Sequence, residues 1–221
     1  NTFDEASPKF DKIGTSFFKH YGKVMVDFSD IKPDDCILDL ACGTGTVTFP
    51  LAEKLSPAGT IHAVDIAPGM VEQCRQQLDH NYQNVHFKVM DAEHLEFDDY
   101  TFDKVICSFG LFFLTDMEQG LREIKRVLKP GGQLVFSSWN REFQLKWLIE
   151  ILAKYIPALA KRKEVFEDKI DESDFTSIEG IEKILRISGF QKQQIRIENI
   201  DCYYENEEEW MDSRWHNGFR M

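Results

Sequence analysis

Basic runs are scarce in this sequence. The longest is Lys161-Arg162-Lys163, and 26 Lys and Arg face 38 Asp and Glu, for a formal net charge of -12. Binding to phosphate backbones needs a basic stripe, so the composition argues against a general nucleic-acid binder. Three adjacent cations on a helix point in different directions, which makes this triplet read as a solvated helix end. The five cysteines, Cys36, Cys42, Cys74, Cys107 and Cys202, include no Cys-x-x-Cys pair. Their scatter suits neither a zinc site nor a disulfide framework, so no metal is expected. Free thiols fit a reducing, cytoplasmic compartment. No apolar run reaches the roughly 18 residues of a membrane helix, and no cationic segment with an apolar core and cleavage site opens the chain. The first residue is Asn1 rather than Met and the last are Phe219-Arg220-Met221, so further residues are expected beyond both ends. Internal repeats and low-complexity tracts are missing as well.

What is present is the patterning of a globular α/β chain. Hydrophobic residues make up 43% and charged residues 29% of the 221, ordinary values for one domain of this length. From Asp35 to Asn140 short apolar runs alternate with helical periodicity, the signature of βαβ units and a mostly parallel sheet. Strands are expected at Cys36–Leu40, Thr60–Val64, Val85–Val89, Lys104–Cys107 and Gln133–Ser138. Helices are expected at Thr46–Leu55, Pro68–Asp79 and Glu118–Leu128. Ile37, Leu38 and Leu40 make the first strand almost continuously apolar, as a strand covered on both faces requires. Pro130-Gly131-Gly132 reads as the turn into the fifth strand. The predicted fold is therefore a doubly wound, Rossmann-like α/β sheet with helices on both faces.

A single domain over 1–221 is expected, in three parts. Residues 1–32 form an N-terminal helical arm or lid, with aromatic residues from Phe10 to Tyr21. Residues 33–140 form a nucleotide-binding core, and residues 141–221 supply substrate-side helices and a last strand. In that third part the periodicity predicts a helix over Gln144–Ala160, a charged loop through Ser173 and a helix around Ile181–Ile187 ending at Gly189. A strand is predicted over Gln193–Tyr204, then a helix from Glu207 capped by Asn206.

The most informative segment is Ile37-Leu38-Asp39-Leu40-Ala41-Cys42-Gly43-Thr44-Gly45, a buried strand running into a glycine turn and then a helix. Without a Cβ, Gly43 and Gly45 permit a tight turn and close approach of a ligand. Their place at the carboxyl end of the first strand is where open α/β sheets bind ligands. Twenty residues beyond Gly45 the second strand ends at Asp65, positioned to accept from a ribose diol. Asp91 follows the third strand and can accept from an exocyclic amine. Either aspartate alone also suits a loop cap; together with the turn they mark three successive strand ends. A dinucleotide fingerprint would want a third glycine where Thr48 stands, and a phosphate-cradling Gly-x-x-x-x-Gly-Lys is absent.

With these residues in view, the chain resembles the class I S-adenosylmethionine-dependent methyltransferases, in particular the small-molecule and quinone-biosynthesis branch. The resemblance covers roughly residues 8–140. It is densest in Asp39–Gly45, Val64-Asp65-Ile66 with Gly69-Met70, Asp91-Ala92-Glu93 and Leu128-Lys129-Pro130-Gly131-Gly132. It implies S-adenosylmethionine as cofactor and S-adenosylhomocysteine as product. It further implies that Asp39, Ala41, Gly43, Thr44 and Gly45 line the methionine portion and Asp65 holds the ribose hydroxyls. Asp91 and Ala92 would lie at adenine, Ile66 and Met70 on its faces, and Ser108 near the methionine amino group. Ile66 and Met70 read equally well as core.

Methyl transfer from a sulfonium is an in-line displacement with an activated leaving group, so positioning can supply much of the catalysis, and a base is needed only for a protonated nucleophile. No catalytic residue is evident. His20 and His216 are weak candidates for a base, and His94 belongs rather at the adenine edge. Asp/Asn-Pro-Pro-Tyr, typical of relatives that methylate nucleic-acid bases, is absent after the fourth strand, and Cys107 reads as a small buried thiol. Tyr21, Trp139, Arg141, Phe143, Trp210 and Trp215 are candidates for substrate binding, and as aromatics many serve equally as core. The expected partner is a small, hydrophobic or aromatic metabolite, with no nucleic acid, no membrane span and a homodimer left open. The alternatives are methylation of a nucleic acid or protein, and a catalytically silent cofactor-binding subunit.

Overall fold

A computed structural model describes residues 3, 4, 7, 10, 16–78, 82–139, 175 and 177–216. Five strands, β1 (Cys36–Leu40), β2 (Thr60–Asp65), β3 (Val85–Val89), β4 (Phe102–Ser108) and β5 (Leu128–Ser137), form one sheet in the order β3-β2-β1-β4-β5. Every neighbouring pair is parallel, so the doubly wound sheet expected from the alternation is present. The register pairs Asp39 with Ala63 on one side and with Ile106 on the other. The carboxyl ends of β1, β2 and β4 consequently finish at one level. Strand order reverses between β1 and β4, which opens a crevice at those ends.

Helices α1 (Phe17–Phe28), α2 (Thr48–Lys54), α3 (Pro68–Gln77) and α4 (Met117–Val127) belong to the same unit. Met25 and Val26 of α1, Leu51 and Ala52 of α2 and Cys74 of α3 pack with Ile37, Ile61, Ala63 and Ile106 in one core cluster. These strand residues share a face because side chains alternate along a strand. The right-handed crossovers place α4 on the other face, where Leu121, Ile124 and Val127 are buried. Local chemistry supports the helix ends. Asp116 accepts from the N–H of Gln119 at the start of α4, and Lys125 and Arg126 lie in its last turn, complementing the helix dipole.

Most boundaries fall within two residues of expectation, but one strand start and one whole strand differ. β5 begins at Leu128 rather than Gln133: Phe102 pairs with Leu128 and Lys104 with Gln133, so Lys129 to Gly132 bulge out of the register. The Pro-Gly-Gly turn thus lies inside the strand, with Gly131 at φ 81° providing the kink. The strand expected over Gln193–Tyr204 is not formed. Those residues have no regular secondary structure and are mostly exposed. Loose alternation makes a strand only where a neighbouring edge supplies hydrogen bonds and a core receives one face.

By its internal packing the chain divides into two compact units, Asn1–Ser137 with Glu198–Met221, and Ser138–Ile197. In the second, α5 (Ile178–Ile187) is capped by Ser177, which accepts from the N–H of Gly180, and Gly189 at φ 81° follows its end as expected. In the first, α6 (Glu207–His216) starts at Asn206, whose Oδ1 accepts from Glu209 N at 2.9 Å. The predicted helix over Gln144–Ala160 and the loop through Ser173 lie outside the described residues. Among the described residues no helix is long and apolar enough to cross a membrane.

Candidate active site

The crevice is built on the turn after β1. Ala41 (φ 55°), Gly43 (φ 54°) and Gly45 (φ 87°) are all left-handed, which folds the backbone back toward α2. A Cβ added to Gly43 would meet nothing within 4 Å, so this stretch of backbone faces open space. Asp65 holds the turn: its Oδ2 accepts from Gly43 N and its Oδ1 from Ala67 N, each at 2.9 Å. A carboxylate offers about four lone pairs, so Asp65 keeps acceptor capacity for a diol beyond these backbone bonds. Burial, with Asp4 nearby, raises the proton affinity of Asp65. On the other side of the turn the thiol of Cys74 donates to the Gly43 carbonyl at 3.2 Å.

Two buried oxygens flank the reversal point without a partner among the described residues. One is Asp39 Oδ1, whose sister oxygen accepts from the hydroxyl of Thr48; the other is Ser108 Oγ, at the end of β4. Polar atoms this deeply buried are nearly always satisfied, and exceptions call for a ligand or another specific cause. Burial and the neighbouring Asp65 push the Asp39 carboxyl up to about 7. At the far end of the crevice Asp91 Oδ1 accepts from Glu93 N at 2.9 Å and its Oδ2 lies 3.3 Å from His94 Nδ1. Donors on a methionine ammonium and a ribose diol fit this acceptor set, so the residues present suit a nucleoside carrying an amino-acid tail.

Residues 37–132 match the family model described as a methyltransferase domain. The chain is 37% identical over 137 residues to aklanonic acid methyltransferase DauC from Streptomyces sp. (strain C5), covering 62% of each. It is 34% identical over 145 residues to a ubiquinone/menaquinone biosynthesis C-methyltransferase from Hahella chejuensis, covering 63% of this chain and 58% of that one. Residues 37–132 thus resemble a methyltransferase domain, and these relatives are methyltransferases. The chain spans about three fifths of their length. The fold agrees with that of a SAM-dependent methyltransferase from Aquifex aeolicus, with a TM-score of 0.57 and 19% identity over 76% of this chain and 78% of that one.

Within the methyltransferase domain, Asp39, Ala41, Gly43, Thr44, Gly45, Asp65 and Ser108 gather at the reversal point, with Asp91 and Ala92 in the loop after β3. Ile66 is 57% exposed beside Asp65, whereas Met70 is buried on α3. Tyr21 meets Phe109 edge-to-face with ring centroids 5.5 Å apart, and Phe18 meets the same ring at 5.6 Å. Phe109 directly follows β4 in a left-handed conformation (φ 53°). Burial, with Cys202 and Glu198 nearby, raises the Tyr21 phenol, which therefore stays protonated and can donate. His20 is exposed on α1. Burial also pushes up the Cys107 thiol, leaving it inert.

Trp139 is half-buried, and Trp210 on α6 is 39% exposed. Arg141 and Phe143 lie outside the described residues, as do the side chains of Trp215 and His216. Three contacts escape sequence reading. Thr48 partners Asp39 nine residues away, Asp4 accepts from Gly69 N at 2.9 Å across 65 residues, and Glu93 reaches the loop after β4. Only Glu93 carried a signal, its place beside Asp91-Ala92; the other two depend on tertiary packing alone.

Proposed function

We propose that this chain transfers a methyl group from S-adenosylmethionine to a small hydrophobic or aromatic metabolite, on oxygen, nitrogen or carbon. The observation that carries the reading is the pair of unpartnered buried oxygens, Asp39 Oδ1 and Ser108 Oγ, at the point where strand order reverses. When bound, the cofactor supplies a methyl group on a positively charged sulfur, already activated for displacement. Asp39 and Ser108 would receive its ammonium, Asp65 its ribose diol and Asp91 its adenine amine. Gly43 supplies backbone open to a ligand, which a side chain would obstruct. Tyr21 and Phe109 form an aromatic wall for the acceptor, and Tyr21 donates to an oxygen on it. The described arm residues Phe3 and Phe10 join the same wall, since Phe3 meets Phe113 edge-to-face at 5.1 Å and Phe10 lies stacked on Phe18 at 5.1 Å. The part expected of Trp139, Arg141, Phe143, Trp210 and Trp215 is substrate selection. The names of the relatives, which act on aklanonic acid and in ubiquinone/menaquinone biosynthesis, favour a small-molecule acceptor.

The test is calorimetric titration with S-adenosylhomocysteine, followed by a screen of small phenolic and quinol acceptors with methyl-labelled cofactor. Asp65→Ala is expected to weaken binding by about 1.5–3 kcal/mol, the scale of hydrogen bonds to a charged group. Absence of binding, or preference for a nicotinamide dinucleotide, would overturn the assignment.

A further inference from the structure

Glu93 sits two residues past Asp91, yet its side chain leaves that loop. Its Oε1 accepts from the backbone N–H of Thr115 at 2.6 Å and of Asp116 at 3.0 Å, and its carbonyl oxygen accepts from Gln119 Nε2 at 3.1 Å. Thr115 and Asp116 close the loop that leaves β4 at Ser108 and begins α4 at Met117. A carboxylate on two backbone donors at a helix N-terminus is both charge-assisted and favoured by the helix dipole. The other end of the connection is equally defined: Asp91 Oδ1 accepts from the N–H of Glu93 itself. One side chain thus links the turn that carries Asp91 to the segment that carries Phe109, the short 3-10 turn Leu111–Phe113 and the exposed ring of Phe113.

We propose that Glu93 is a positioning residue: it transmits occupancy of the adenine end of the site to the loop over 109–114, and so sets the aromatic wall that faces the methyl acceptor. The inference rests on the reading of Asp91 as the adenine contact. When Asp91 is held by a ligand, the N–H of Glu93 is held with it, and the carboxylate fixes Thr115 and Asp116. Movement of either loop without the other breaks both hydrogen bonds to the Glu93 carboxylate. Cofactor binding and the shape of the acceptor wall are thereby coupled without any contact between Glu93 and either molecule.

Amide hydrogen exchange with and without S-adenosylhomocysteine tests this on the whole chain and needs no knowledge of the acceptor. In the unmodified protein the ligand is expected to slow exchange over 41–46 and over 109–114. Glu93→Ala should keep the first effect and lose the second by about tenfold, the scale of a hydrogen bond to a charged group. Glu93→Asp keeps the charge but falls one methylene short, and should behave like Glu93→Ala; it carries the test if the alanine variant does not fold. Glu93→Gln retains an oxygen acceptor and should restore the response. A merely structural role would lower the melting temperature of the variants and leave the ligand-induced difference intact, which overturns the proposal. So does a ligand that slows 41–46 but not 109–114 in the unmodified protein. A ligand that slows neither segment tells against the cofactor reading itself.

Discussion

Asp39 is fully buried, with one oxygen on Thr48 and the other without a partner among the described residues. Burial and Asp65 raise its pKa to about 7, above the roughly 3.9 of an unfolded aspartate. Between these values the folded state keeps a proton that the unfolded chain has released. The stability this group contributes is therefore fully present below about pH 4 and is lost as pH rises through about 7. Asp39→Asn should flatten that decline, measured as urea unfolding at pH 5 and pH 7.5. A cationic ammonium beside the carboxylate favours its ionised form. Affinity for S-adenosylhomocysteine should then increase with pH between 6 and 7, by up to about tenfold per unit. Affinity that is flat in calorimetry over this range would remove Asp39 from contact with the ligand.

Among the elements, α1 and the glycine turn approach each other closely, though no sequence pattern connects them. A Cβ at Gly22 would lie 2.2 Å from the carbonyl oxygen of Thr46, so the helix backbone rests directly on the turn. Any side chain there must push the two apart. Gly22→Ala is expected to destabilise the fold by about 1–3 kcal/mol, the usual cost of overpacking, and to weaken S-adenosylhomocysteine binding because the displaced partner is the turn itself. Lys23→Ala, one residue along and exposed, is the control in both urea unfolding and calorimetry. Equal ligand affinity in Gly22→Ala and the unmodified protein would show that α1 yields while the turn stays. The elements of the core were legible beforehand because burial on both faces forces continuous apolar runs such as Ile37-Leu38. The region from Gln193 was misread because alternation alone does not make a strand: these residues are mostly exposed and bury no face against a core.

At the scale of the whole molecule, the crevice joins the ends of separate strands, so a ligand filling it ties together elements far apart in sequence. Binding to the folded state alone stabilises by about 2.7 kcal/mol at a ligand concentration 100 times Kd. For a chain of this size that corresponds to roughly 5–10 °C in melting temperature. Scanning calorimetry with S-adenosylhomocysteine should show a shift on this scale, greatly reduced in Asp65→Ala at the same concentration. An equal shift in both proteins would place the ligand elsewhere. A nicotinamide dinucleotide at matched concentration should leave the melting temperature unchanged.

By itself the sequence determined the alternation of strands and helices, the glycine turn and the acidic residues at successive strand ends. Each of these follows from local chemistry: backbone freedom, two-sided burial, and acceptors placed where a strand stops. Tertiary structure alone decided which strand ends adjoin, because strand order is set by how helices cover the sheet and by the handedness of the crossovers. It also decided that Asp39 keeps a free oxygen, that Asp4 reaches Gly69 and that Glu93 reaches Thr115 and Asp116. Hydrogen bonds between residues far apart in the chain leave no periodic trace, since their geometry exists only after the core has packed.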